Sequence, residues 1–216
     1  MRAFDPVQAI TRVRREFGEH GGVCPSISRS STFTVMDPGT MPEIFQGLRS
    51  PDKGGCYLYS RHFNPTIDVL ARYLAAMEGT EYAVCTASGM AAISGTLMQL
   101  CDTGDHIVSS NTVYGGTYAL LHDFLPTKAG VHSTLVDIND LEAVEAAMTD
   151  KTRVLYTESI ANPTLRVSDI PALAEIAHRH GPGIIASVVV HSGCEDARQH
   201  LPLIQWLDRQ RAAPWS

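Results

Sequence analysis

Four short stretches of this sequence carry residue types able to grip a flat or phosphorylated ligand. Ser88-Gly89-Met90 lies between a short apolar run, Tyr82 to Thr86, and a helical pattern. A glycine there lets a ligand come close to the backbone, and the first-turn N–H groups of a helix attract anions. The junction is a candidate phosphate cradle, although Ser-Gly junctions of this kind also close without a ligand. Tyr114-Gly115-Gly116-Thr117 follows a second apolar run; an aromatic ring at that point either stacks on a flat ring or flanks the loop as core. Glu158-Ser159-Ile160-Ala161-Asn162-Pro163-Thr164 follows a third. The residue before a proline is held extended, which suits an amide aimed at a ligand and equally a plain Asn-Pro turn. Tyr59-Ser60-Arg61 precedes Asn64-Pro65-Thr66. Arg61 is either a bidentate phosphate ligand or a surface arginine.

These stretches need elements to aim them, and the apolar spacing supplies candidates. Ile67, Leu70, Ala71, Leu74 and Met77 recur at helical spacing and Gly79 supplies a stop. Beyond it the pattern predicts a strand at 82–86, a helix at 88–100, a strand at 106–110, a helix at 116–124 and a strand at 131–136. It continues with a helix capped by Asn139 through Met148, a strand at 153–157, a helix at 169–180 opened by Pro171, and a strand at 184–190. Strict alternation of this kind implies a parallel α/β sheet with helices on its faces. Ligands of such sheets sit beyond the carboxyl ends of the strands, which is where three of the four stretches fall. Residues 1–60 are rich in Gly, Ser, Pro and Thr and read as an N-terminal arm, 61–192 as the ligand-binding domain and 193–216 as a divergent tail in which 199–213 forms an amphipathic helix.

Composition narrows the classes of function. The net charge of −6 argues against a nucleic-acid partner, and no apolar run approaches a membrane span. Five cysteines, an odd number with no C-x-x-C spacing, predict a reducing compartment and neither a disulfide framework nor a metal site. The first twenty residues mix Arg12, Arg14 and Arg15 with Asp5, Glu16 and Glu19, unlike a secretory or transit segment, so the expected location is cytoplasmic.

Taken together, Tyr-Ser-Arg-x-x-Asn-Pro-Thr, Ser-Gly-Met, Tyr-Gly-Gly-Thr and Glu-Ser-x-x-Asn-Pro, in this order and spacing, resemble the pyridoxal-phosphate (PLP) enzymes of cysteine and methionine metabolism. The opening Glu16 to Val23 and the stretch Tyr59 to Thr66 are most similar to the methionine γ-lyase branch. The resemblance implies the large domain of the type I, aspartate-aminotransferase-like fold, with pyridoxal 5'-phosphate as cofactor and a small sulfur amino acid as substrate. It implies that Ser88, Gly89, Met90 and Ser192 hold the cofactor phosphate, that Tyr114 stacks on the ring as the candidate catalytic residue, and that Asn162 bonds the ring hydroxyl. It further implies that Tyr59 and Arg61 reach a neighbouring subunit's phosphate in an oligomer. Gly116 sits where bacterial methionine γ-lyases carry a cysteine.

The resemblance also has gaps. The family's next strand ends in Asp-Asn-Thr-Phe, whose aspartate pairs with the ring nitrogen, and no such motif follows Gly181. Further on the family has Val-Val-Val-His-Ser-x-Ser/Thr-Lys, whose lysine forms a Schiff base with the cofactor. This chain reads Val188-Val189-Val190-His191-Ser192-Gly193-Cys194-Glu195, with Glu195 at the lysine's place. The family's small C-terminal domain is expected to be missing. The letters encoding Arg198-Gln199-His200-Leu201-Pro202 can spell Asp-Asn-Thr-Phe one base out of frame, so the tail reads either as a frame change or as the product of an internal deletion. The expected function is γ-elimination or γ-replacement on a sulfur amino acid by descent, inactive in this chain; the alternative is a non-catalytic subunit that pairs with a full-length family member.

Overall fold

The computed structural model of the protein describes residues 5–13, 22–53, 55–180 and 185–189. The chain divides into two compact units, Met1–Cys85 and Thr86–Ser216.

In the first unit, α1 (Pro6–Val13) lies along α3 (Pro65–Glu78), and α2 (Met41–Phe45) is a single short turn between them in sequence. The α3 boundaries are chemical. Asn64 caps it, accepting from the Thr66 N–H at 2.9 Å, Pro65 fills the first position, and Gly79 ends it in the left-handed conformation at φ 67°. Residues 31–33 run beside 58–60 through Phe33 N–H to Leu58 O (3.1 Å) and Ser60 N–H to Ser31 O (3.0 Å). The segment read as an arm thus contains a helix, α1, that the Gly- and Ser-rich texture hid.

The second unit is a four-stranded parallel sheet of order β2-β1-β3-β4, formed by β1 (His106–Ser110), β2 (His132–Val136), β3 (Thr152–Glu158) and β4 (Ile185–Val189). In β1 and β3 nearly every residue is buried, as expected of strands covered on both faces. Alternate residues feed two cores. Ile107, Val154 and Tyr156 pack with Ile93 and Leu97 of α4 (Gly89–Leu100) and with Leu121 and Leu125. Val108 and Leu155 pack on the opposite face with Val144 of α7 (Leu141–Ala147) and with Leu173 and Ile176 of α8 (Ile170–His180). From β1 the chain crosses to β2 on the first face, and from β3 it crosses to β4 on the second. The chain therefore turns in opposite directions at the β1–β3 boundary, which is the switch point where such sheets open a crevice.

Three expectations need correction. Tyr82–Thr86 is not a strand. Among the described residues its backbone takes a single hydrogen bond, from the Thr80 hydroxyl to Tyr82 O at 3.2 Å, and Val84 is 74% exposed; β propensity makes no strand without a partner. The cap of α7 is Asp140, whose carboxylate accepts from Ala143 N–H at 3.0 Å, while Asn139 turns its own N–H to Asp137. The helix expected at 116–124 is α5 (Gly115–Ala119), a π turn at Leu120–Phe124, and α6 (Leu125–Lys128). Pro126 has no N–H to give and its ring crowds the carbonyl four residues back, and the wide turn ahead of it keeps Leu120, Leu121 and Leu125 all in the core. Val190 and the tail helix at 199–213 lie outside the described residues.

Leu121 is fully buried at the centre of the first core. Leu121→Ala is expected to cost about 2–5 kcal/mol of stability, read as a lower urea midpoint; a loss below about 1 kcal/mol would show that the π turn repacks around the void.

Candidate functional site

Three loops end at the carboxyl edge of the sheet, and hydrogen bonds fix each of them. The loop after β1 is shaped by Ser110, whose hydroxyl accepts from Thr112 N–H at 3.1 Å, and Asn111 N–H donates to Val136 O at the end of β2 (2.8 Å). It delivers Tyr114, 38% exposed, to the start of α5. The loop after β3 closes on itself. Ala161 N–H donates to Arg166 O (2.8 Å), Ser168 N–H to Ser159 O (3.1 Å), and the Ser168 hydroxyl to Glu158 O (2.9 Å). Asn162 stands at its exposed tip, joined to Pro163 by a cis bond. Arg166 ties this loop to the end of β2 by donating to both Asp137 oxygens, at 2.7 and 2.9 Å. That bond, helped by Asn139 N–H, holds the Asp137 carboxyl below the usual carboxylate range.

Glu158 links the first loop to the second. It ends β3, is 1% exposed, and accepts the Tyr114 N–H on one oxygen at 2.9 Å and the Asn162 N–H on the other at 3.3 Å. Two residues earlier on the same face of β3, the buried Tyr156 hydroxyl is pushed above its ordinary range, first by burial and then by the Glu158 charge.

The third component is the N-terminus of α4. Ser88 caps it, its hydroxyl accepting from Ala91 N–H at 3.1 Å, so this side chain is occupied in part by the helix itself. The Gly89 and Met90 amides have no hydrogen bond among the described residues, and Gly89 is exposed. The Met90 sulfur and the Tyr114 ring both border Gly116. A Cβ at Gly116 would lie 2.6 Å from Tyr114 Cε1 and 3.2 Å from Met90 Sδ. The bare Cα of Gly116 is what lets the tyrosine ring fold back over its own helix.

Tyr59 and Arg61 belong to the first unit, where the Arg61 guanidinium sits 5.0 Å from the centroid of the exposed Tyr59 ring. Ser192 and Glu195 lie outside the described residues. Of the residues singled out in the sequence, the structure sets Met90 and Tyr114 together at Gly116 and joins the Tyr114 and Asn162 loops through Glu158. Sequence reasoning gave no role to Glu158 or to the Asp137–Arg166 pair. The available signal for Glu158 was an acid closing an otherwise apolar run, Val154 to Thr157.

Comparison with known proteins agrees with this architecture. The chain matches the family of Cys/Met metabolism PLP-dependent enzymes over residues 7–194. It is 50% identical over 205 residues to a methionine gamma-lyase of Arabidopsis thaliana, covering 87% of this chain and 46% of the relative. It is 40% identical over 168 residues to the L-methionine gamma-lyase of Pseudomonas putida, covering 77% and 41%. Among solved structures, a Campylobacter jejuni protein described as an O-acetylhomoserine (thiol)-lyase, which carries a pyridoxyl-lysine phosphate, superposes with a TM-score of 0.76 at 28% identity over 87% of this chain and 44% of that one. A cystathionine gamma-lyase of Lactobacillus plantarum gives 0.70 at 34% identity over 85% and 44%. The chain spans less than half the length of these relatives, and its second unit is part of a type I PLP-dependent α/β domain. On the matched residues and the shared sheet, the chain belongs to the Cys/Met metabolism PLP-dependent enzyme family.

Proposed function

We propose that this chain forms the cofactor-holding part of a pyridoxal-phosphate enzyme that eliminates or replaces the γ-substituent of a sulfur amino acid, in the manner of the methionine gamma-lyases it is similar to. The observation that carries the reading is the meeting of three groups at one sheet edge: the unpaired Gly89 and Met90 amides, the Tyr114 ring bordering Met90 through Gly116, and the exposed Asn162.

These residues fit the cofactor's non-covalent contacts. The amides of Gly89 and Met90, at the positive end of a 12-residue helix, would take the phosphate, with the Ser88 and Ser192 hydroxyls beside it. The Tyr114 ring would stack on the pyridine, and it is the residue we assign to catalysis. The Asn162 amide would bond the ring hydroxyl. When bound, the cofactor supplies the electron sink that makes the substrate's α-hydrogen acidic. The fit stops at covalent attachment, because Glu195 stands at the lysine's place and a carboxylate does not condense with an aldehyde. The chain as it stands thus supplies binding groups and not the reacting amine.

That gap favours a second reading, in which the chain is a non-catalytic subunit of a family oligomer. Tyr59 and Arg61 are exposed and already paired face to charge, ready to be offered to a partner's phosphate. No helix among the described residues is long and apolar enough to cross a membrane, and Cys24, Cys56, Cys85 and Cys101 are all unbridged.

Pyridoxine 5'-phosphate carries the ring and the phosphate but no aldehyde to react with surface lysines. In calorimetry it is expected to bind the chain and to be competed away by inorganic phosphate; no binding of either overturns the reading. Pyridoxal phosphate itself is expected to dialyse away, and a stoichiometric borohydride-fixed adduct at one of Lys53, Lys128 or Lys151 would contradict the assignment. Gly116→Ala forces the Tyr114 ring to turn. It is expected to weaken pyridoxine phosphate by roughly two- to tenfold while leaving inorganic phosphate unchanged, and equal weakening of both would remove Tyr114 from the ring site.

A further inference from the structure

We propose that Glu158 is a positioning residue whose single carboxylate locks the Tyr114 and Asn162 loops at one fixed separation, and so sets the gap in which the cofactor ring would lie. The proposal deepens the functional reading above and rests on it for the identity of the ring. The two loops leave different strands, β1 and β3, on either side of the switch point. Nothing in the covalent chain fixes the distance between their tips. Glu158 does so from beneath, one oxygen to each loop.

The arrangement is specific in three respects. First, the carboxylate is buried, and among the described residues no lysine, arginine or histidine forms an ion pair with it. A buried charge is tolerated only when hydrogen-bonded, so the loops cannot drift without stranding it. Second, either amide alone would be satisfied by a carbonyl, whereas one side chain bridging both couples their movements. Third, the bonds go to backbone N–H groups at the very residues whose side chains face outward. Fixing the N–H of Tyr114 and of Asn162 fixes where each side chain starts.

Glu158→Gln preserves shape but turns an NH2 donor toward one of the two N–H donors. In the chain without ligand, the Tyr114 and Asn162 amides are expected to exchange with deuterium about tenfold faster, with the amides of β1 and β3 unchanged. Pyridoxine 5'-phosphate affinity is expected to fall by about tenfold while inorganic phosphate, held at α4, binds as before. Unchanged exchange at Tyr114 and Asn162 overturns the proposal, and so does faster exchange throughout the sheet, which would make Glu158 a general support of the core. Equal loss of pyridoxine phosphate and inorganic phosphate overturns it too. If the unmutated chain binds neither ligand, the functional reading fails, and the two exchange rates still decide the clamp.

Discussion

The pairing of β1 with β3 is the interaction on which the rest of this molecule depends. These strands are neighbours in space but not in sequence; α5, the π turn, α6, β2 and α7 intervene between them. Their parallel register, with Val108 opposite Leu155 and Ser109 opposite Tyr156, brings two carboxyl ends side by side. The chain leaves one end toward one face and the other end toward the opposite face, the arrangement in which such sheets open a crevice. A parallel pair buried on both faces has little freedom to slip, because each strand feeds alternate side chains into two separate cores. The rigidity of the crevice floor follows from that double burial.

On this floor the site is built mostly from backbone. The α4 amides, the loop closures at 159–168 and the tethers among the strand ends are all main-chain groups or bonds to them. Side chains enter at a few points only: Tyr114, Asn162, Glu158 and the Arg166–Asp137 pair. In the proposed reading Gly89, Met90, Tyr114 and Asn162 stand before His180, whereas Ser192 and Glu195, the latter at the position that the resemblance gives to the reacting lysine, fall past β4.

Much of this was legible from sequence, for local reasons. Asn64, Pro65 and Gly79 mark the ends of α3, and Ser88 that of α4, because capping depends on residues a few positions apart. The strands 106–110 and 153–157 were legible because each holds adjacent β-forming residues, Ile107-Val108 and Val154-Leu155-Tyr156, between helical patterns. What failed depended on partners distant in sequence. Tyr82–Thr86 has strand composition and no strand to pair with. The choice of Asp140 over Asn139 as cap turned on Asp137 taking the Asn139 N–H first. The motif residues Gly89, Met90, Tyr114 and Asn162 could be named, but that one carboxylate spans two of their loops is a fact of three-dimensional distance between residues 44 positions apart.

The π turn at Leu120–Phe124 has a consequence for how this domain tolerates change. Each helical residue advances the chain by about 100°, and the extra residue in this turn offsets α5 by that angle relative to α6. Leu125 anchors the far side in the core, so the offset is expressed at the near side, in the helix that Tyr114 caps. A single-residue deletion between Leu121 and Phe124 would restore a regular helix and, with Leu125 held in place, turn Leu120, Leu121 and the tyrosine together, away from their present neighbours. The aim of the ring is therefore encoded partly as a count of residues, in a segment that touches no ligand.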